Sequence, residues 1–346
     1  SPVTAATGSG YFLNTTAGAI TINLPAGVAG SIVSMADYAG TWDTNAVTVA
    51  PNGSEKIGGV AADANLVTER QSVTFVYIDS TQGWVNVQDS TSAVIGNPYI
   101  VATGGNAIVT CGNFKTHIFT GPGTFSVASI HPCAANNKVD YGVIAGGAGG
   151  PGIPGAGDGG GGGGAGGFRI FSTAPGCNSP LNNSGASPNT EVTVTASPYS
   201  ITVGAGGSKS SGPPYGPGCS GSNSIFSTVT SAGGGGGGYI ASAGVAGASG
   251  GGGGGGSPTP PAGPGGAGNT PPTTPSQGNA GGAGGGGSPN NQSGGGGGAG
   301  AVGGDQTGPT SGDGGAGSYI ADPFIGPTAP SYGTPGPVGS TRYFSG

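Results

Sequence analysis

Apolar and polar residues alternate in short stretches along the first quarter of the chain. In 18–24, Ile20, Ile22 and Leu24 alternate with polar neighbours, the period-2 pattern of a half-buried strand. Residues 31–35, 46–50 and 72–78 are equally short and rich in Val and Ile, as strands require. Leu24-Pro-Ala-Gly27, Pro51-Asn-Gly53 and Gln82-Gly83 separate them with turn chemistry. The spacing predicts a small antiparallel β module over 1–92. No window carries an apolar period of 3.6 residues, so almost no α-helix is expected. Trp42 and Trp84 read as anchors of this core; a sugar-binding role is the alternative.

A hinge is expected over 93–97, then a second β set. Residues 116–119, 123–129, 138–144, 167–171, 191–195, 199–203 and 224–230 mostly alternate. They predict a β-sandwich-like module over 98–232. Glycine-rich insertions interrupt it, and a glycine-rich region over 145–318 is interleaved with it and continues beyond it. Residues 319–346 are left as a C-terminal tail.

Glycine is unbroken over 159–164, 233–238, 250–256, 284–287 and 294–298, with Pro, Ser, Thr and Asn between the runs. Three states compete for such sequence. A flexible linker is the default for Gly/Ser/Pro composition. Collagen demands Gly at every third position, and that period is absent. The third state is a bundle of polyglycine II helices, with three residues per turn and a rise of about 3.1 Å. Such a helix has no internal hydrogen bonds, so each N–H and C=O must find a partner on a neighbour. Lacking Cβ, glycine lets those neighbours approach. The segment has few of the charged residues that mark disordered chains. Phe168, Tyr239-Ile240 and Tyr319-Ile320 close the runs as apolar caps. The ordered bundle is the reading taken here, with the Pro-rich pieces as its reversals. The fold class is therefore all-β, with small antiparallel modules, a sandwich and a polyglycine II bundle.

Composition sharpens this picture. Gly accounts for 85 of 346 residues and charged residues for 6%, against about 25% in ordinary domains. So few ionisable groups leave little from which to build a catalytic site, and no enzyme activity is expected. Seven basic residues and a net charge of −6 disfavour nucleic acid as a partner. No apolar run approaches the roughly 20 residues of a membrane-spanning helix. Cys111, Cys133, Cys177 and Cys219 form no CxxC pair, so zinc is not expected. They could pair in sequence as two disulfides or remain thiols. Asp158, Asp305 and Asp313 lack the acidic repeat of calcium-binding rolls, and neither metal nor cofactor is expected. His117 sits in a strand pattern and reads as structural. Tyr215, within Gly212-Pro-Pro-Tyr-Gly-Pro217, reads as exposed.

Several stretches resemble modules of tail fibres and other structural proteins of tailed phages, notably those of marine cyanobacteria. They are Gly10-Tyr-Phe-Leu-Asn-Thr-Thr16, Asp37-Tyr-Ala-Gly-Thr-Trp42, Cys111-Gly-Asn-Phe-Lys-Thr-His-Ile-Phe119 and Ser200-Ile-Thr-Val-Gly-Ala-Gly-Gly207. The second module's layout also resembles the glycine-rich domain of anaplastic-lymphoma-type receptor kinases. The runs with variable joints are similar to tip adhesins of contractile-tailed phages, whose joints touch the host receptor. The resemblance implies a fibre or spike subunit on the virion surface that contributes to host attachment. It associates with other fibre subunits, as a homo-oligomer or trimer, and meets a host carbohydrate or outer-membrane protein. The joint residues Tyr215, Pro258, Thr259, Pro260, Pro271, Thr273, Asn290, Asn291 and Gln292 become the receptor-contact candidates. A purely architectural fibre without a receptor is the alternative. A depolymerase would need two placed carboxylates, and the acids here are sparse and scattered.

Overall fold

The computed structural model describes residues 2–90, 99–111, 114–131, 133–153, 159–173, 179–184, 190–256, 261–287, 291–320, 332–336 and 341–346. The chain divides into two compact units, Ser1–Gly96 and Asn97–Gly346. Among the described residues all regular structure is β apart from one 3-10 turn at Ala134–Asn136, and the fold is all-β.

Among its described residues the first unit has eight strands: β1 (Val3–Thr4), β2 (Ser9–Leu13), β3 (Ile20–Asn23), β4 (Ile32–Asp37), β5 (Val47–Ala50), β6 (Ala64–Leu66), β7 (Ser72–Asp79) and β8 (Gly83–Ser90). They form two four-stranded sheets, β1-β3-β5-β6 and β2-β4-β7-β8. The pairs β1–β3, β3–β5 and β2–β4 run parallel, so the sheets are mixed rather than antiparallel as expected. Short alternating strands state which face is buried but not which neighbour they choose. Ile22, Leu24, Val33, Met35, Val47, Val49, Val73, Phe75, Trp42 and Trp84 fill one core. Both Trp side chains are fully buried, so neither presents a ring to a sugar. Tyr77 meets Trp84 edge-on at 5.6 Å, and Trp84 Nε1 donates to Glu55 Oε2. Burial pushes the Asp37 carboxyl up, but backbone N–H donors of Arg70, Thr41, Trp42 and Gly40 outweigh it and hold it below its ordinary value.

The second unit holds β9 (Val101–Thr103), β10 (Ala107–Cys111), β11 (Phe114–Ile118), β12 (Gly123–Ser129), β13 (Lys138–Val139), β14 (Tyr141–Ile144), β15 (Phe168–Phe171), β16 (Val192–Thr193), β17 (Pro198–Thr202), β18 (Ser224–Phe226), β19 (Val229–Ser231), β20 (Ser318–Ile320), β21 (Thr334–Pro335) and β22 (Arg342–Phe344). A five-stranded sheet in the order β19-β18-β17-β12-β9 packs with the β14–β15 and β13–β16 pairs. The core between them contains Phe125, Val127, Tyr141, Phe171, Val192, Val194, Phe226 and Val229. The single strand expected over 224–230 is a hairpin, turned at Ser227 with φ of 52°. His117 Nδ1–H donates to Gly104 O at 2.7 Å and the ring packs edge-on against Phe125, a structural role. The C-terminal stretch returns to the body, where β22 pairs with β20.

Candidate functional site

The glycine-rich segments are neither strands nor tethers. Residues 250–256 show what holds them. The amides of Gly250, Gly253 and Gly256 donate to Asn279, Gly282 and Gly285. Those of Gly251 and Gly254 donate to Val245 and Ser242, and those of Gly252 and Gly255 to Gly162 and Gly159. The carbonyls follow the same phase. Gly250 and Gly253 accept from Gly297 and Gly294, Gly251 and Gly254 from Gly266 and Gly263, and Gly252 and Gly255 from Gly238 and Ala241. Each set of partners recurs every three residues, the repeat of a polyglycine II helix. The segment thus has six neighbours: 279–285, 242–245, 159–162, 294–297, 263–266 and 235–241. Residues 233–238 repeat the pattern, with Gly234 and Gly237 donating to Gly146 and Gly149.

Such spacing requires glycine. A Cβ on Gly250, Gly252 or Gly253 would lie 1.9, 2.1 or 1.9 Å from the carbonyl oxygen of Gly266, Gly294 or Gly263. Those carbonyls therefore lie no farther than about 3.6 Å from the Cα atoms, close enough for weak Cα–H···O contacts. Outer segments place other residues where the lattice ends. Gly244, Gly247, Gly263 and Gly266 are buried, whereas Ala243, Ala246, Pro264 and Ala267 are exposed.

The registers also give direction. Segments 145–152, 203–210, 233–238, 249–256, 278–287 and 302–306 run one way, and 159–167, 218–222, 242–248, 261–268, 291–298 and 311–317 return. Strands β14, β15, β17, β18, β19 and β20 adjoin one end of the lattice. The reversals 211–217, 239–241 and 307–310 gather at the other, beside Gly256 and Gly287.

Of the candidate contact residues, Tyr215, Asn291 and Gln292 lie at that far end. Tyr215 is 39% exposed and its ring runs parallel to that of Tyr239, with centroids 6.5 Å apart. A Cβ on Gly212 would sit 2.1 Å from the Tyr215 ring, so glycine at 212 lets the ring fold back over the loop. Gln292 Oε1 accepts from Ser311 Oγ at 3.2 Å, tying two reversals together. Asn291 is half-buried. Pro258, Thr259, Pro260 and Asn290 lie outside the described residues.

Pro271 and Thr273 are brought to the opposite end. Asn269 Oδ1 accepts from the amide and hydroxyl of Thr273 and from the Gln277 amide. Asn183 Nδ2 donates to Thr274 O. Gln277 is fully buried; its Nε2 donates to Pro271 O at 2.6 Å and its Oε1 accepts from Ala232 N at 2.9 Å. Its own carbonyl accepts from Phe168 N. This loop fastens the lattice to the sandwich, and the hydrogen-bonding groups of Thr273 are spent internally. Pro/Thr composition alone does not distinguish a reversal facing solvent from one facing the sandwich.

Sequence reasoning overlooked Tyr239, Ser242, Thr307 and Thr310 as companions of Tyr215. Counting reversals from β14 would have found them, since successive reversals alternate between the two ends. Cys111, Cys133 and Cys219 are free thiols, so a Cys111–Cys133 bridge is not formed; Cys177 lies outside the described residues. Asp305 Oδ1 accepts from Ala283 N at 2.7 Å, and among the described residues no cluster of His, Cys, Asp and Glu could hold a metal. Asp158 lies outside those residues. A family model described as a glycine-rich domain matches residues 120–346. No curated protein matches the chain.

Proposed function

The chain belongs to the glycine-rich domain family, and from that premise we propose that it is a non-enzymatic fibre subunit whose reversals meet a host surface. The tail-fibre resemblance of its modules suggests a tailed phage as the source. One observation carries the reading: Tyr215, Tyr239, Ser242, Gln292 and Thr310 share the lattice end remote from the sandwich strands. A backbone lattice suits this work. It holds loops at fixed positions, and its glycines leave the loop sequences free to vary without disturbing a side-chain core. The residues offered are aromatic, hydroxyl and amide groups, which favour carbohydrate or an outer-membrane protein recognised by hydrogen bonding and stacking rather than by charge.

The test is binding of the full chain to host cells or isolated envelope. Replacing Tyr215 and Gln292 together with Ala should weaken binding at least tenfold and leave the fold intact. Substituting Lys209, exposed on the lattice flank, with Ser should leave it unchanged. Binding indifferent to the Tyr215/Gln292 change, or absent altogether, would overturn the adhesin reading in favour of a purely architectural fibre.

A further inference from the structure

We propose that the flank of the lattice formed by segments 145–152 and 159–167 seats one more polyglycine II helix, supplied by a partner peptide with glycine at every third position. The two segments are bonded neighbours, Ala145 and Ala148 donating to Gly167 and Gly164. Where each segment has six neighbours, two adjacent segments share two of them. Segments 159–167 and 250–256, for example, share 233–238 and 291–298. For 145–152 and 159–167 one shared neighbour is 233–238: Gly234 and Gly237 donate to Gly146 and Gly149, and Gly161 and Gly164 donate to Gly238 and Gly235. At the second shared position no described residue bonds. The carbonyls of Ala145, Ala148 and Pro151 receive no donor from the described residues, and the amides of Gly160, Gly163 and Gly166 find no acceptor there. Both rows repeat every three residues, as the lattice does. The packing around 250–256 shows that both rows address this position. There the neighbours on the amide and on the carbonyl of Gly252 lie side by side, as do those on the carbonyl of Gly252 and the amide of Gly251. Ala148 donates to Gly164, so the Ala148 carbonyl and the Gly163 amide both point to the place beside that bond.

Glycine keeps the position open. Within 250–256 the absent Cβ of each residue is directed at the segment that donates to the next carbonyl. A Cβ on Gly250, Gly252 or Gly253 meets Gly266, Gly294 or Gly263, whose amides donate to Gly251, Gly253 and Gly254. By that rule Gly147 and Gly150 are directed at whatever serves Ala148 and Pro151. A Cβ on Gly147 would stand 3.7 Å from Gly166 N, and one on Gly150 3.9 Å from Gly161 O, ordinary van der Waals contacts. Neither residue has a positive φ. No contact inside the chain demands glycine at 147 or 150, but the close approach of a further backbone would.

The rim segments show which peptide fits. In 242–248 and 261–268 the buried residues Gly244 and Gly247, and Gly263 and Gly266, are three apart, while Ala243, Ala246, Pro264 and Ala267 face out. A peptide of this pattern sets glycine against the flank. It donates to Ala145 and Ala148, accepts from Gly160 and Gly163, and turns its larger residues to water. Strands repeat every two residues and α-helices every 3.6, so neither keeps step with groups three apart. Proline on the outward side pre-sets the conformation and lowers the cost of ordering. A row of unpaired N–H and C=O groups templates strand addition at a sheet edge, and this flank is the polyglycine II counterpart. The glycine runs of a second copy are already bonded within their own lattice, which favours a separate peptide as the occupant. Such a peptide touches two segments where an interior segment touches six, so a free peptide binds weakly.

Amide NMR spectra of the full chain, titrated to millimolar concentration with a capped peptide of four Gly-Ala-Pro repeats, test this. We expect shifts confined to 145–152 and 159–167, with the amides of Gly160 and Gly163 moving downfield as they gain acceptors. A peptide of four Ala-Ala-Pro repeats, equally extended but with a Cβ at every position, should not bind. Substituting Gly147→Ala and Gly150→Ala together fills the position and should weaken binding at least tenfold. Unaltered amide shifts over 250–256 would report an intact lattice in that variant. Absence of binding, equal binding of the two peptides, shifts elsewhere or indifference to the substitutions would overturn the proposal. So would the same shifts on concentrating the chain alone, which would make a second copy the occupant. The reversals are untouched by these changes, so no outcome bears on the receptor reading.

Discussion

The two units reach cohesion by opposite routes. In the first, Ile22, Val33, Val47, Val49, Trp42 and Trp84 are withdrawn from water almost completely, and side chains carry the binding force at about 25 cal/mol per Å². In the lattice of the second, 250–256 and 294–298 are just as buried, yet no side chains exist to bury. Hydrogen bonds to six neighbours, with weak Cα–H···O contacts between them, must offset the loss of backbone freedom, which is greatest for glycine. Burial alone is therefore no measure of hydrophobic stabilisation. The lattice should also unfold with a smaller heat-capacity change per residue than the first unit, because it exposes mainly polar backbone.

The sharpest way to break the comparison is to add one methyl group to each solid. Gly252→Ala puts a Cβ 2.1 Å from Gly294 O. A backbone carbonyl bonded on both sides has no rotamer by which to yield. The expected destabilisation is upwards of about 4 kcal/mol, in the range that marks a broken structural element. The converse change, Ile22→Ala in the apolar core, should be milder at about 2–5 kcal/mol, because a cavity can partly collapse. Amide hydrogen exchange read separately for 250–256 and for β3, β5 and β7 checks both. Fast exchange of the Gly250–Gly256 amides in the unsubstituted chain would sink the lattice itself.

A smaller effect sharpens the boundary between lattice and sandwich. Gln277 contributes a buried amide that satisfies Pro271 O and Ala232 N. Gln277→Leu keeps the volume but leaves two polar backbone groups without partners, at about 1–3 kcal/mol each. The loss should appear as early exchange of the Phe168 and Ala232 amides, ahead of Gly250–Gly256. Uniform loss of protection would mean that the loop is not a local fastener.

Much of this was legible in the chain. Alternation located β3, β5, β7 and β12, because a half-buried strand must place apolar groups on one side. It missed β2, where Gly10 and Phe12 face outward and blur the pattern, and it could not foresee parallel pairing of β2 with β4. The glycine runs made an ordered lattice readable because they lack the collagen period and the charge of disordered chains, although a flexible linker has the same composition. The candidate site was only half readable. Tyr215 and Gln292 fell on the loop face and Thr273 did not, since the end a reversal occupies depends on its count along the chain, not on its composition.

The smallest expected effect reverses the sign of the largest. Gly314 lies in a returning segment, but a Cβ there would meet nothing within 4 Å and its φ is not positive. The neighbouring outward positions already hold Asp313 and Ala316. Here glycine forgoes the advantage of a restricted unfolded chain without gaining any close approach. Gly314→Ala should therefore stabilise the second unit by about 0.4–1 kcal/mol, through the entropy of the unfolded state. Paired with Gly252→Ala, it isolates lattice position as the variable, because the chemical change is the same. Denaturant midpoints measured at constant m-value would register it. Destabilisation at Gly314 comparable to that at Gly252 would mean that a further backbone packs against this edge in solution.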